Sequence, residues 1–424
     1  MKTNYKLILA AFTLIAPMQL LAIPAWSRGE ATSCSTCHAT PTWQLTSVGL
    51  DFLKNGHRAD PAKMAAKSQT LENYISFIWK GRFFSDQLDD SRLGNASTQK
   101  PKSNFEQHSF SLYTGGALNE HFSYFTELYL SENTGATSGA NVVQGDASRK
   151  KLAEAFLQYN HPLADGQFLA VRAGEILPGI LHVFGVGARS AEQRAVVLNE
   201  ALAGNSNTYR PFSRQQGIDA TFNTEKAELS IGLVNGSDTS TTNSIDADSQ
   251  KDWFASALYK LDEHESALGL IHYNGEFTNY TTKQDFSTAV LYKNAFTRTG
   301  LLGRFVRDNW RVVGTYFMGE ETVSAAGAKA KNAGYYALID YNFTDRLGVF
   351  ARYDRLDPNT NISRNETSMI LLGMNGMLFE NMRSGGRWQI EYTVKETFLG
   401  GNIVTAGTTK YLDHRLFAQI TWGF

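Results

Sequence analysis

The sequence predicts an all-β transmembrane barrel of about sixteen antiparallel strands, preceded by a small helical segment. Three observations predict this fold class. From about residue 71 to the C-terminus, apolar and polar residues alternate in short runs. The connections between these runs alternate between short and long. The composition, with 36 Gly, 26 Phe and 18 Tyr against 9 Pro, is typical of many glycine-broken, aromatic-rich strands.

The alternation is clearest near the C-terminus. In residues 387–395 polar side chains occupy one parity, and apolar side chains occupy the other: Trp388, Ile390, Tyr392 and Val394. Residues 74–83 and 415–424 follow the same pattern, with Ile78 and Phe417 as exceptions. A period of two with one apolar and one polar face predicts a strand between two different environments.

The predicted strands begin near residues 72, 104, 119, 152, 167, 212, 225, 251, 264, 295, 309, 332, 345, 365, 386 and 414. Alternating short and long connections are typical of an outer-membrane barrel, which has tight periplasmic turns and longer outer loops. An even number of strands places both ends of the barrel on the periplasmic side.

The polar parity argues against a large soluble all-β protein. It would place many charges and amides in a solid core, at a prohibitive desolvation cost. In a transmembrane barrel these groups face a water-filled lumen, and the apolar parity faces lipid. The polar set comprises Lys80, Arg82, Glu154, Gln158, Asp340, Arg352, Asp354, Glu391 and Lys395.

The N-terminus has the pattern of a secretory signal peptide. Lys2 and Lys6 precede an apolar stretch from Leu7 to Leu21, and the expected cleavage follows Ala22, with Ala25 as second choice. The apolar stretch is short for a membrane anchor, and no later segment has the 18 or more apolar residues of a spanning helix. The near balance of 40 Lys and Arg against 41 Asp and Glu gives no electrostatic case for binding nucleic acid.

Both cysteines of the chain lie in the stretch Cys34-Ser35-Thr36-Cys37-His38. C-x-x-C-H is the attachment pattern of a c-type haem: the two thiols form thioethers, and the histidine ligates the iron. The alternative is a redox-active disulfide between Cys34 and Cys37. A disulfide that closes so short a loop suits thiol–disulfide exchange better than stabilisation of the fold. The export signal and His38 favour one covalent haem.

Residues 23–70 are predicted to form the haem-bearing segment. Leu45, Val48, Phe52 and Leu53 lie on one face of a helix, with Thr42 as its N-cap and a stop at residues 55–56. A segment of fewer than about 50 residues buries too little surface to be stable alone. The haem and the remainder of the chain must therefore supply its packing surface.

The sixth iron ligand stays open at this point. His57 and Met64 could each reach the distal face. His57 could instead be a solvated residue of the basic turn 54–58, and Met64 could pack in a short helix over 61–67. Another residue, water or an open position are the remaining alternatives. Further candidates are His108, His121 and His161.

The long connection 176–211 begins with a run too apolar for a loop in water, Ile176 to Gly185. It could fold into the pore, cap the haem from the outer side, or pack on the barrel rim. The carboxylates Asp86, Asp89 and Asp90 are interpreted as a solvated charge run in an outer loop rather than as iron ligands. No nucleophile motif, zinc site or phosphate loop is present.

The order of these features resembles the fused monohaem cytochrome–porin family of outer-membrane proteins, whose best-known members are iron(II) oxidases. The resemblance rests on Trp26-Ser27-Arg28, on Cys34 to His38 and on Val48 to Arg58, followed by a barrel of this length. It implies thioethers at Cys34 and Cys37 and a proximal ligand at His38. Position 57 is more often an aromatic residue such as Tyr in that family, so His57 is a departure.

The resulting domain hypothesis is a signal peptide over 1–22, a monohaem cytochrome c segment over 23–70 that plugs the lumen, and an outer-membrane barrel over 71–424. The functional hypothesis is a conduit that passes electrons from an extracellular donor such as Fe(II) to a periplasmic c-type cytochrome or similar carrier. The alternatives are an outward-directed terminal reductase, a solute porin with a structural or sensory haem, and a haem enzyme with an open sixth site.

Overall fold

The computed structural model describes residues 24–58, 70–87, 102–132, 151–164, 166–184, 191–202, 207–236, 250–263, 265–280, 290–380 and 384–424. Its main body is a closed barrel of sixteen antiparallel strands. The strands are β1 Ile75–Gln87, β2 Lys102–Ala117, β3 Phe122–Glu132, β4 Lys151–Pro162, β5 Phe168–Ile176, β6 Gln215–Asn223, β7 Ala227–Val234, β8 Asp252–Lys260, β9 Ala267–Tyr280, β10 Val290–Arg307, β11 Trp310–Thr322, β12 Lys329–Thr344, β13 Leu347–Asp357, β14 Thr367–Glu380, β15 Gly385–Phe398 and β16 Lys410–Gly423.

Strand β16 closes the barrel by pairing with β1, from Ile78 opposite Gly423 to Gln87 opposite His414. Because β1 begins and β16 ends at the same end of the barrel, that end is called the terminal end, and the opposite one the loop end. The predicted strand number is confirmed, and each strand begins within about five residues of the predicted start. The sixteen described strands of the barrel thus form a sheet without a free edge, as a strand structure within a bilayer requires.

The outer face of the barrel is apolar, as predicted. Exposed aliphatic and aromatic side chains alternate with buried residues along each strand, which suits contact with lipid chains. On β7, Leu229, Ile231 and Leu233 are exposed, and on β12 Tyr335 and Ile339 are exposed. Among the described residues, none of the helices has the length and apolarity needed to cross a membrane.

The interior differs from the predicted water-filled lumen. The charged side chains of the alternating pattern do point inward, but six of them are buried: Arg82, Glu154, Asp340, Arg352, Asp354 and Glu391. Arg352 forms an ion pair with Asp354 at 2.9 Å, for example. On β9 to β14 several inward residues are apolar and form one continuous core: Ile271, Leu302, Val313, Phe317, Leu338, Phe350 and Leu371. The expectation of solvated inward charges is therefore wrong for these groups, because protein fills the space beside them.

The long connection after β5 supplies part of that filling. It contains the short helices α4 Ile180–Val183 and α5 Val196–Asn199. Leu177, Leu181 and Phe184 are fully buried in the interior core. The Tyr336 hydroxyl of β12 donates to the backbone carbonyl of Phe184. Of the three predicted arrangements, the loop adopts the one in which it folds into the barrel.

The N-terminal segment, residues 24–58, precedes the barrel. It contains helices α1 Pro24–Glu30, α2 Cys34–Cys37 and α3 Ser47–Lys54. A two-residue antiparallel pair joins His38–Ala39 to Gln44–Leu45. A 3-10 turn, Leu71–Asn73, leads into β1.

Helix α3 starts later than predicted. Its N-cap is Thr46, whose hydroxyl accepts from the Gly49 amide at 3.2 Å, so the prediction of Thr42 was wrong. Thr42 is instead fully buried and donates its hydroxyl to the Ala39 carbonyl, which places it in the turn between the two short strands. The predicted stop is confirmed: Asn55 is the C-cap, and Gly56 has a φ of +69°.

Side chains at the terminal ends of the strands hold the N-terminal segment. Arg304 of β10 donates to the Leu45 carbonyl at 2.5 Å. Lys260 of β8 lies 3.1 Å from the Asp51 carboxylate. On the opposite wall, the Ala25 amide donates to the Ser76 hydroxyl of β1 at 2.8 Å. The segment thus contacts strands from both halves of the barrel.

Candidate functional site

A cavity of about 290 Å³ lies inside the barrel, bounded by the N-terminal segment, the inserted loop and the wall formed by β1 to β5, β15 and β16. Four histidines line it: His38, His57, His108 and His182. Its aromatic lining consists of Trp26, Trp43, Tyr113, Phe125, Tyr129, Phe156 and Phe212. The cavity is therefore the place where the chain gathers imidazoles and aromatic rings.

Helix α2 presents the two thiols on a single turn. The two cysteines are not joined in a disulfide, and Cys34 is only 2% exposed, packed against Trp43 and Met377. Burial and the nearby Glu30 carboxylate raise the pKa of the Cys37 thiol to about 11. Cys37 is therefore a protonated thiol near neutral pH rather than a reactive thiolate.

His38 follows α2 directly and has a defined orientation. Its Nδ1 lies 3.2 Å from the backbone carbonyl oxygen of Trp43, and its ring stacks on the Trp43 indole with centroids 4.9 Å apart. Since a carbonyl oxygen only accepts, Nδ1 is the donor in this contact. A metal-binding histidine commonly has its second nitrogen fixed in this way.

Helix α3 packs directly against the thiol-bearing turn. The Thr46 hydroxyl donates to the Thr36 carbonyl at 2.7 Å, and the Thr46 amide donates to the Cys37 carbonyl at 3.0 Å. A Cβ atom on Gly49 would lie 2.2 Å from the Cys37 carbonyl oxygen. This close approach explains a glycine inside the helix, where it otherwise lowers stability.

His57 is not part of a solvated basic turn. Its side chain is 5% exposed and lies among the rings of Trp26, Phe52, Phe125 and Phe156. Burial is the main cause that lowers the pKa of His57 to about 3, so its imidazole is neutral near pH 7. Within the described part of the chain, its Nδ1 has no hydrogen-bond partner.

Arg58 is buried as well, and it fixes this turn to the barrel wall. Its guanidinium donates to the backbone carbonyls of Asn119 and Phe122, which flank the turn between β2 and β3. The alternative of a solvated basic turn over residues 54–58 is therefore wrong. The backbone carbonyls that accept from Arg58 lie more than sixty residues away in sequence, where a local pattern does not show them.

Charged groups surround the rest of the cavity in compensated clusters. Glu192 of the inserted loop lies 2.6 Å from the Lys80 ammonium and 3.4 Å from the Arg82 guanidinium. Burial opposes ionisation of Glu192, but these cations outweigh it and hold the pKa of this carboxyl below its ordinary range. Arg214 lies between the carboxylates of Glu127 and Glu154, at 3.3 and 3.4 Å.

The structure separates the other predicted candidates. His108 lines the cavity, with its ring nitrogens 3.7 Å from Glu106 and 3.9 Å from Glu192. His121 and His161 lie at the terminal end and do not line the cavity; the His121 ring donates through Nδ1 to the Asn160 carbonyl. Met64 lies outside the described residues.

The prediction of a solvated outer-loop charge run is wrong for Asp86, which lies in β1 and is paired with Arg415 at 2.6 Å. Asp89 and Asp90 lie outside the described residues. Across the described ranges, no group of three or more His, Cys, Asp or Glu side chains is arranged to hold a metal ion.

Sequence reasoning missed His182. This residue of α4 lines the cavity, and its Nε2 lies 3.7 Å from the Glu154 carboxylate. The available signal was the apolar run of residues 176–185, which contains this single histidine. The position of His182 beside the cavity could have been predicted only from the hypothesis that this loop folds into the barrel.

Solved outer-membrane porins share this architecture. The anion-selective porin of Comamonas acidovorans aligns with a TM-score of 0.57 at 14% identity, over 82% of this chain and 98% of that chain. OprB of Pseudomonas putida aligns with a TM-score of 0.54 at 10% identity, over 88% and 96% of the two chains. The outer membrane channel DcaP of Acinetobacter baumannii gives 0.54 at 11% identity, over 82% and 96%.

At these identities the likeness establishes the fold alone: a closed sixteen-stranded barrel of the porin type. No protein-family profile and no curated protein sequence matches the chain.

Proposed function

We propose that the chain carries one covalent haem c, joined to Cys34 and Cys37 and ligated by His38. The residues fit this group. Two thiols lie on one helical turn, and the adjacent imidazole has its Nδ1 fixed by the Trp43 carbonyl. The cavity beside His38 is walled by aromatic rings, which suit a large flat macrocycle. When bound, the haem supplies a one-electron carrier whose potential responds to burial and nearby charge.

The N-terminal segment is proposed to plug the terminal end of the barrel. Its hydrogen bonds and ion pairs to β1, β8 and β10 support this position. The packing also supplies buried surface that so short a segment lacks on its own, because Leu45 and Leu50 are part of the interior core of the barrel. The segment would then close the pore from the side on which both ends of the barrel lie.

The function proposed is an outer-membrane electron conduit. The observation that carries it is the position of the cavity, which brings His38 of the attachment motif inside the barrel, between the plug and the inserted loop. A single haem within the thickness of the membrane can exchange electrons on both sides, whereas a haem below a membrane of about 30 Å cannot reach an outside donor.

The proposed location is the outer membrane of a bacterium, reached by export and removal of residues 1–22. The proposed direction is inward, from an extracellular reductant such as Fe(II) to a periplasmic c-type cytochrome or similar carrier. These assignments follow the cytochrome–porin resemblance, and iron(II) oxidation would be the corresponding activity. An outward-directed reductase would use the same cavity, and the potential of the haem relative to its carriers distinguishes the two directions.

The test is electron transfer across a sealed membrane. Haem-loaded protein in liposomes, with Fe(II) outside and an oxidised cytochrome c enclosed, should reduce the enclosed cytochrome. Liposomes with a His38→Ala variant control for leakage of the reductant. Absence of covalent haem in protein matured with the c-type attachment machinery, or no transfer by the loaded protein, contradicts the proposal.

A solute porin with a structural haem is the second candidate, favoured by the fold. The Comamonas porin is anion-selective, and this cavity has cationic side chains in its lining: Lys80, Arg172, Arg194, Arg214 and Arg387. Single-channel conductance separates the candidates. A plugged conduit should conduct ions poorly, whereas a porin should show stable open steps with an anion preference.

A further inference from the structure

We propose that His57 is the second axial ligand of the haem iron, so that the iron has two imidazole ligands. This inference rests on the proposed haem at Cys34 and Cys37 and assigns its distal side. His38 and His57 belong to the same short segment and line the same cavity. The structure thus places two imidazoles on one cavity, and a six-coordinate haem needs two axial ligands.

The packing of His57 orients its ring. The ring lies nearly parallel to that of Phe125, with centroids 5.5 Å apart and 19° between planes. The centroid of the Trp26 ring lies 4.7 Å from that of the His57 ring. The Phe52 ring is edge-on to His57, with 5.8 Å between centroids. These contacts hold the imidazole in one orientation in the packed protein.

The backbone around His57 also points to a specific role. His57 has a φ of +61°, in the left-handed region that non-glycine residues rarely occupy, and Gly56 before it has +69°. Arg58 then anchors the turn through the carbonyls of Asn119 and Phe122. Backbone of this kind persists where its surroundings determine it, and it is common at ligand-binding positions.

The hydrogen bonding of His57 is unlike that of an ordinary core histidine. A buried histidine in a protein core normally satisfies its ring nitrogens with hydrogen bonds. His57 is 5% exposed, and its Nδ1 lacks a partner among the described residues, although hydrogen-bonding groups such as Gln158 line the same cavity. Coordination of the iron by the imidazole would account for burying this side chain among aromatic rings.

His108 and His182 are weaker candidates for the same position. Both line the cavity, but each has a carboxylate near its ring: Glu106 beside His108, and Glu154 beside His182. Both also lie outside the N-terminal segment, on β2 and on the inserted loop. A ligand on the haem-bearing segment itself can bind during attachment, before the segment meets the barrel.

The test uses full-length protein with attached haem, purified in detergent. Wild type is compared with His57→Phe, which keeps an aromatic ring in the cage, with Met64→Leu, and with His161→Ala as a matched control on the exposed rim. Optical and electron paramagnetic resonance spectra report the spin state, and a pyridine haemochrome assay reports haem content.

We expect low-spin ferric haem in wild type, Met64→Leu and His161→Ala. His57→Phe should retain the covalent haem but become predominantly high-spin, and added imidazole should restore the low-spin spectrum. Unchanged low-spin haem in His57→Phe, or conversion to high spin in Met64→Leu, overturns the assignment.

The inference is also tested without substitution, in case His57→Phe does not fold. The near-infrared magnetic circular dichroism band of the low-spin wild-type protein differs between two imidazoles and an imidazole–thioether pair. Any ligand pair other than two imidazoles overturns the inference. Wild type without covalent haem contradicts the proposed function, whereas a loaded protein with another distal ligand contradicts only the role of His57.

Discussion

The carboxylate of Glu192 lies 2.6 Å from the ammonium of Lys80, and this ion pair joins the inserted loop to the first strand of the barrel. Arg82, His108 and Arg387 lie within about 4 Å of the same carboxylate. One acidic side chain of the loop therefore compensates a group of wall cations beside the cavity.

Replacing Glu192 with Gln should destabilise the protein by about 3 kcal/mol, because removal of one partner leaves buried cations without compensation. Thermal unfolding in detergent, followed by circular dichroism, measures the effect. Glu225→Gln at the exposed turn between β6 and β7 is the matched control and should be within about 0.5 kcal/mol of wild type. Equal effects of the two substitutions would show that the charge cluster contributes nothing specific.

Stability should also fall in acid because of this carboxyl. The pKa of Glu192 is lowered in the folded protein below its ordinary value of 4.5, so the unfolded chain binds a proton at a higher pH than the folded chain. Its contribution is complete above about pH 4.5 and is lost as pH falls further. Unfolding of wild type and Glu192→Gln between pH 7 and pH 3 checks this. The variant should show the shallower dependence, and parallel curves would contradict the assignment.

Gly49→Ala should destabilise the N-terminal segment by about 1 to 3 kcal/mol, because the new methyl group meets the Cys37 carbonyl oxygen. Gly29→Ala in helix α1 is the matched control, since its Cβ would have only ordinary contacts, at 3.7 Å or more. Alanine is the better helix former, so Gly29→Ala should be neutral or slightly stabilising. Limited proteolysis of the segment and haem content after expression measure both effects. A stabilising Gly49→Ala would refute the close packing of α3 on α2.

Each cysteine should contribute one thioether bond. Cys34→Ala and Cys37→Ala should each reduce haem retained after denaturing electrophoresis, and the double variant should retain none. Mass spectrometry of the mature chain provides the measurement, because wild type should carry the mass of one haem. Since Cys34 is buried against Trp43 and Met377, its replacement should also loosen that contact. Full haem retention by the double variant excludes thioether attachment.

The barrel could be predicted because its signal is local. A strand between lipid and interior has a period of two, and the turns interrupt it at regular intervals, so starts such as Asp252 and Trp310 fell within one residue of prediction. The helix over Ser47–Lys54 was recognised from its apolar face, while its cap was misplaced by four residues. Both Thr42 and Thr46 are suitable cap residues, and only the pairing of His38–Ala39 with Gln44–Leu45 decides between them.

The interior could not be predicted from the same patterns. Period two tells which residues face inward, but it does not tell whether water or protein lies opposite them. Asp354 and Glu391 were expected in water, yet they accept from backbone amides of the inserted loop, at Val196 and at Glu192 and Gln193. The local pattern could not decide whether His57 and Arg58 are solvated. Phe125, which stacks on His57, and the carbonyls that accept from Arg58 are all more than sixty residues away in sequence.

The burial of Cys34 sets an order of events during biogenesis. With 2% of its surface exposed, its sulfur is inaccessible to a maturation enzyme once residues 24–58 are packed. The segment also bonds to β1 and to β12, through Ser76 and Asn342, so its docking site is complete only after the sheet has closed. If haem is attached to Cys34 as proposed, its thioether would therefore form while the segment is still unfolded, before the segment packs on the barrel.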